Sequence, residues 1–182
     1  MSELDVLKAE LLPLVRSVVK RGTFTLASGK TSNVYFDARE VTLNARGAYQ
    51  TARVILAMLK EEKVDAIGGL TLGADPIAGA VAAVSAQAGR PIHGFIVRKE
   101  AKAHGMGKVV EGPALPAGAR VVVVDDVVTS GGSTLLAVKA LREAGFQVVR
   151  SICVVDREEG GRATIEGTGI PFSPIFTNRD IL

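Results

Sequence analysis

Apolar positions recur at helical spacing early in the chain and then give way to short, nearly unbroken apolar runs. Leu4, Leu7, Leu11 and Leu14 or Val15 fall on one face of a helical wheel, which predicts an amphipathic first helix. Ser2, with Asp5 three residues on, offers an N-terminal cap. Pro13 marks a place for a kink, and Gly22 is read as the end of this helix. The stretch FTLASGKTSNVYFD predicts two short strands around a Ser-Gly-Lys turn. A second helix, roughly 45–62, is capped by Asn44 and lines up Ala48, Ala52, Ile55 and Leu59.

Beyond it the pattern alternates. Strands are predicted at 65–70, 92–97, 121–125, 147–155 and 172–176, with helices at about 75–88 and 132–144. Continuous apolar strands separated by helices imply an α/β fold with a central parallel sheet flanked by helices. The chain is read as one domain, residues 1–182, and about 20–40 form a small N-terminal hood outside the alternation. The longest segment without periodicity, 98–119, is long for a compact domain, and such loops usually carry function.

Composition narrows the class. Aromatic residues are 4% of the chain, so the core must be built from Val, Ile, Leu and Ala. The lone cysteine, Cys153, excludes an internal disulfide and suits a reducing cytoplasm; within SICVVD it reads as a small buried hydrophobe. A net charge of +3 comes without a block of like charge or aromatic–basic interleaving, which argues against nucleic acid and fits an anionic small molecule. The acidic start MSELDVLKAELL is no secretory leader, and PIAGAVAAVSAQAG is too short for a membrane span, so a cytoplasmic protein is expected.

The chemistry concentrates in VVVVDDVVTSGGS, residues 121–133. Ligands of open parallel sheets bind beyond the carboxyl ends of the strands, where Asp125 and Asp126 lie. Thr129, Ser130, Gly131, Gly132 and Ser133 follow and lead into a helix, a phosphate cradle made of hydroxyls and backbone N–H groups. Carboxylates would repel that phosphate but accept hydrogen bonds from vicinal sugar hydroxyls, and can approach magnesium directly or through water. Phosphate cradle plus diol-binding acids describes a ribose 5-phosphate site. Arg98, Lys99, Lys102 and His104, among Gly105 and Gly107, form a cationic loop able to close over a polyanion. His93, inside an apolar strand, is read as a core residue.

The thirteen-residue stretch resembles the phosphoribosyl pyrophosphate (PRPP) motif of the type I phosphoribosyltransferases, and RKEAKAHGMG (98–107) is similar to the catalytic loop of the orotate phosphoribosyltransferases. FTLASGKTSNVYFD resembles that family's hood, GLTLGADPIAGA (69–80) its pyrophosphate loop with Pro76 in the next helix, and DREEGGR (156–162) its base-binding segment. The resemblance implies a type I phosphoribosyltransferase fold and a magnesium-dependent transfer of phosphoribose from PRPP to orotate in pyrimidine biosynthesis. It implies PRPP binding by Arg98, Lys99, Lys102, His104 and the run Asp125, Asp126, Val127, Val128, Thr129, Ser130, Gly131, Gly132 and Ser133. Catalysis falls to Lys102, Asp126 and His104, and orotate binding to Thr129, Arg157, Tyr35 and Phe36, with Arg157 on the orotate carboxylate. Magnesium would come mainly with the substrate, near Asp125 or Asp126. A homodimer with sites shared between subunits is also implied. Two departures stand out: Ala27, and Thr71, Leu72 and Gly73, occupy places where relatives often carry lysine, and Lys30 is a partial substitute for the first. The alternatives are a purine or uracil phosphoribosyltransferase and a PRPP-sensing regulator on the same fold; a lone surface pair with Glu158 or Glu159 is the alternative for Arg157.

Overall fold

A computed structural model describes residues 1–25, 31–100 and 109–182. Lys102 and His104, with Ala27 and Lys30, lie outside the described residues.

Helix α1 (Glu3–Ser17) starts with the reciprocal cap predicted for it: the Asp5 N–H donates to Ser2 Oγ at 3.2 Å and the Ser2 N–H to Asp5 Oδ2 at 2.8 Å. The helix continues through Pro13 and stops at Ser17, so Gly22 does not end it. Gly22 lies instead in β1 (Val19–Thr25), where the pairing with β2 (Thr31–Phe36) shifts register between Arg21 and Phe24. A residue without a side chain suits such a bulge. These antiparallel strands are the hood. α2 (Arg39–Thr42) and α3 (Ala45–Met58) follow, the latter capped by Asn44 Oδ1, which accepts from the Arg46 and Gly47 N–H groups. α3 ends a turn earlier than its apolar spacing suggested, and α2 is too short for periodicity to reveal.

The main sheet contains β3 (Ala66–Leu70), β4 (His93–Val97), β5 (Val110–Glu111), β6 (Arg120–Val128), β7 (Gln147–Asp156) and β8 (Phe172–Thr177). Their spatial order is β5-β4-β3-β6-β7-β8. All neighbours run parallel except the two-residue β5, which pairs antiparallel with β4 and sits inside the segment that showed no periodicity. The crossovers are α4 (Asp75–Gln87), α5 (Gly132–Glu143) and α6 (Gly161–Glu166), and α7 (Asn178–Ile181) closes the chain.

The valine run is explained by the two faces it supplies. Val122 and Val124 pack with Leu11, Ile55 and Ile77 from α1, α3 and α4. Val121 and Val123 pack with Ala137, Val138 and Leu141 of α5. All four are buried, each side chain contributing about 1.5–3 kcal/mol on leaving water. β6 runs past its predicted end at residue 125, so that Asp126 as well as Asp125 lies within the strand. His93 opens β4 at the end away from the acids and is exposed, which corrects its reading as a core residue. Cys153 is buried as expected, opposite Asp125 in the β6–β7 register.

Candidate active site

Chain direction reverses across the sheet between β3 and β6: the chain leaves β3 toward β4 on one side and resumes at β6 on the other. A crevice opens at such a switch point beyond the strand ends, and the acids sit there. Asp125 is only 8% exposed, while Asp126 is half-buried. Adjacent residues of a strand face opposite sides of the pleat, so the two carboxylates are unequal. Burial, and then the charge of Asp126, push the Asp125 carboxyl well above the usual carboxylate range. Asp125 Oδ1 accepts the Asp126 N–H at 3.0 Å, and Asp126 Oδ1 accepts the Val127 N–H at 2.8 Å, fixing both side chains on their own backbone. Asp126 is the more accessible of the two acids.

The loop from β3 to α4 closes over the pair and contains a cis Thr71–Leu72 peptide. A Cβ at Gly73 would lie 2.6 Å from Asp126 Oδ1 and 3.0 Å from Asp125 Oδ1. A side chain at Gly73 would force the Asp126 carboxylate to shift, so backbone approaches the acids closely at this one position. Thr71 Oγ1 donates to Asp75 Oδ2 at 2.6 Å, tying the loop to the first turn of α4.

Thr129, Ser130, Gly131, Gly132 and Ser133 turn from β6 into α5. Gly131 caps α5 in the left-handed region, with φ of 85°, and no side chain caps the helix, so its first N–H groups are directed at the mouth. Ser130, Gly132 and Ser133 are exposed, and Thr129 is half-buried. Val128 is different. Its side chain is buried with Cys153, Ile165 and Phe172, and its carbonyl accepts the Arg157 N–H at 2.9 Å. The Gly161 N–H donates to the Thr129 carbonyl at 3.0 Å, so the glycine turn is stapled to the loop after β7.

That loop carries Arg157, whose Nε lies 2.9 Å from Glu159 Oε1 and whose side chain is 12% exposed. The ion pair with Glu159 is therefore present, and the side chain is largely buried. Asn178 Nδ2 donates to the Arg157 carbonyl at 2.9 Å, and the buried Asp156 accepts the Glu158 N–H at 2.9 Å. Glu158 is left-handed, with φ of 58°.

On the hood, alternation separates the aromatic pair. Phe36 is buried in the core with the α1 side chains, whereas Tyr35 is half-buried and stacks at a tilt on Phe24 with centroids 5.4 Å apart. Tyr35 keeps part of its surface accessible, whereas Phe36 does not. Arg98 follows β4 at the same end of the sheet, 3.4 Å from Glu111, and Lys99 beside it is exposed. Arg39, which sequence reasoning passed over, opens α2 just after the hood and is paired with Asp37, Nε to Oδ1 at 3.1 Å. Among the described residues no cluster of three or more metal-ligating side chains exists. The two carboxylates are hard oxygen donors of the kind that suit a magnesium ion.

A parallel sheet with a terminal acid pair, a glycine turn heading a helix and a hairpin hood has the architecture of a phosphoribosyltransferase. A model of the phosphoribosyl transferase domain matches residues 41–168, from α2 to just before β8. The chain is 44% identical over 181 residues to the orotate phosphoribosyltransferase of Nostoc sp., covering 99% of this chain and 87% of that one. A crystal structure of the Mycobacterium tuberculosis orotate phosphoribosyltransferase with Fe(III) dicitrate superposes with a TM-score of 0.85 at 40% identity, covering 96% and 98% of the two chains. The same enzyme in complex with PRPP gives a TM-score of 0.80 at 34% identity, covering 97% and 92%. The chain belongs to the orotate phosphoribosyltransferases within the phosphoribosyltransferase family.

Proposed function

We propose that the protein transfers phosphoribose from PRPP to orotate, forming orotidine 5′-phosphate and pyrophosphate. The observation that carries this reading is the juxtaposition of Asp126 with the glycine turn at the switch point, in a chain of this family. The ring nitrogen of orotate attacks C1′ of the ribose as the C1′–O bond to pyrophosphate breaks, the nitrogen's proton passing to solvent. The sugar carbon gains oxocarbenium character, as in glycoside chemistry. Asp126, with Asp125 behind it, accepts hydrogen bonds from the ribose hydroxyls and offsets the developing positive charge. Residues 129–133 take the 5′-phosphate through backbone N–H groups and the hydroxyls of Ser130 and Ser133. Such fixed donors act without reorganising during the reaction.

Arg98 and Lys99, with Lys102 and His104 by resemblance, meet the leaving pyrophosphate. Tyr35 lies against the base, and Arg157 reads its carboxylate after exchanging Glu159 for it, a bidentate task suited to a guanidinium. Magnesium bound on the substrate oxygens, with Asp126 or a water on Asp125 as its protein partner, would neutralise diphosphate charge. We further infer a homodimer in which the 98–107 loop of one subunit serves the partner's site, and action in the cytoplasm. Among the described residues no helix is long and apolar enough to cross a membrane.

The test is an absorbance assay with PRPP, magnesium and, in turn, orotate, uracil or hypoxanthine. Consumption of orotate alone is the expected result. Turnover of uracil or hypoxanthine in its place would assign another base, and turnover of none would leave a PRPP-binding regulator.

A further inference from the structure

In the transfer reaction Arg157 has to meet a carboxylate, yet it lies in the loop 157–160 between β7 and α6, outside any helix or strand. A guanidinium on a loop points only where its backbone points. Both polar groups of that backbone are tied. The Arg157 N–H donates to the carbonyl of Val128, directly before the glycine turn, at 2.9 Å. Its carbonyl accepts Asn178 Nδ2 of α7, also at 2.9 Å. The next peptide is held as well, because the buried Asp156 accepts the Glu158 N–H at 2.9 Å while Glu158 keeps its left-handed φ of 58°. Further on, the Gly161 N–H donates to the Thr129 carbonyl at 3.0 Å, and a Cβ at Gly161 would lie 2.8 Å from that oxygen and 3.3 Å from the Gly131 nitrogen. The arginine loop and the glycine turn are thus packed as one body, and Asn178 is the point where α7 braces it.

α7 is well anchored for so short a helix. The Thr177 N–H and hydroxyl donate to Asp180 Oδ2 at 2.7 and 3.0 Å, and Ile181 is buried in the core. Arg16 of α1 donates to the Asp180 carbonyl from Nε at 3.1 Å and from Nη2 at 2.6 Å. A second link to the loop, Arg179 Nε 3.1 Å from Glu158 Oε1, involves an exposed arginine and adds little. The Asn178 bond is part-buried, so water is a poor substitute for it. With its N–H and carbonyl both fixed, Arg157 has its backbone angles set, and the direction of its side chain with them. A guanidinium aimed in advance does not lose that freedom when a ligand arrives, and bidentate pairing with a planar carboxylate tolerates little misplacement.

We propose that Asn178 is a positioning residue for base recognition: it sets Arg157 so that a nucleobase bearing a carboxylate is preferred over one without. The proposal rests on the orotate reading of Arg157, and its test separates the two. Affinities for orotidine 5′-phosphate and for uridine 5′-phosphate, the same nucleotide without the carboxylate, are measured calorimetrically on wild type, Arg157→Ala, Asn178→Ala and Asn178→Asp, alongside thermal melts. Aspartate keeps the shape of asparagine but, ionised, cannot donate to a carbonyl, and an acid suits the first turn of a helix, so α7 stays in place. Wild type should favour orotidine 5′-phosphate by about tenfold or more, as a charge-assisted contact does, and Arg157→Ala should abolish the preference. Both Asn178 variants should weaken orotidine 5′-phosphate by about fivefold, as loss of one neutral hydrogen bond does, and leave uridine 5′-phosphate at its wild-type affinity. A full preference in either Asn178 variant overturns the proposal, as does an equal loss for both nucleotides, the mark of a purely structural role. Those outcomes leave the orotate reading standing. A wild type indifferent to the carboxylate, or a preference kept in Arg157→Ala, overturns the reading of Arg157 and the positioning role with it.

Discussion

Asp125 and Asp126 are neighbours in sequence and unequal in space. The strand pleat puts Asp125 against the sheet, where it is 8% exposed, and leaves Asp126 at the mouth. Burial, then the Asp126 charge, raise the Asp125 pKa, so the folded protein keeps a proton there that the unfolded chain has released. This contribution to stability is complete below the unfolded carboxylate value of about 3.9 and is lost as pH rises through the folded value. Asp125→Asn should therefore melt higher than wild type, with a gap that widens as pH rises from about 3.9 toward the raised folded value and then levels off. Each kcal/mol recovered corresponds to about 2–4 °C in a chain of this size. Paired melts across that range check it; a gap that narrows with pH would contradict a protonated Asp125.

Secondary-structure elements divide by how much pattern each can hold. α1 and α3 span several turns, so their apolar stripes were legible, as were the continuous runs of β3, β6 and β7. α2, β5 and α7 have four residues or fewer and exist because neighbouring elements hold them. The turn into α5 shows an element end specified by one residue. Gly131 has φ of 85°, and a Cβ there would lie 3.2 Å from the Gly161 carbonyl and 3.2 Å from Ile165 Cγ1. Gly131→Ala should cost about 1 kcal/mol from the left-handed backbone alone, or about 2–4 °C in melting temperature. It should also raise the PRPP KM, because the turn that presents the helix N–H groups is displaced; steady-state kinetics beside the melt measures both. An unchanged KM with a lowered melting temperature would remove the turn from phosphate binding.

For the whole molecule, the sheet order brings the ends of β3, β4, β6 and β7 to one side, so that loops distant in sequence meet around one crevice. The shared-site dimer is tested at this scale. Lys102→Ala and Arg157→Ala chains, each impaired alone, should regain activity when mixed, up to about a quarter of wild type per site pool if subunits exchange at random and each site draws Lys102 from one subunit and Arg157 from the other. Mass spectrometry of the mixture confirms exchange; exchange without recovery would rule out shared sites.

Local pattern and chemistry determined the alternating α/β architecture, the hood hairpin, the acid pair with its glycine turn and the membership implied by them, because these depend on residues within a dozen positions of one another. Tertiary structure alone decided the rest. It exposed His93, buried Phe36 while leaving Tyr35 partly accessible, paired Arg157 with Glu159, and brought Gly73 to Asp126. Those outcomes depend on which strand lies beside which and on how the hood docks against α1 and α2. Such contacts join residues far apart in the chain, and no local spacing encodes them.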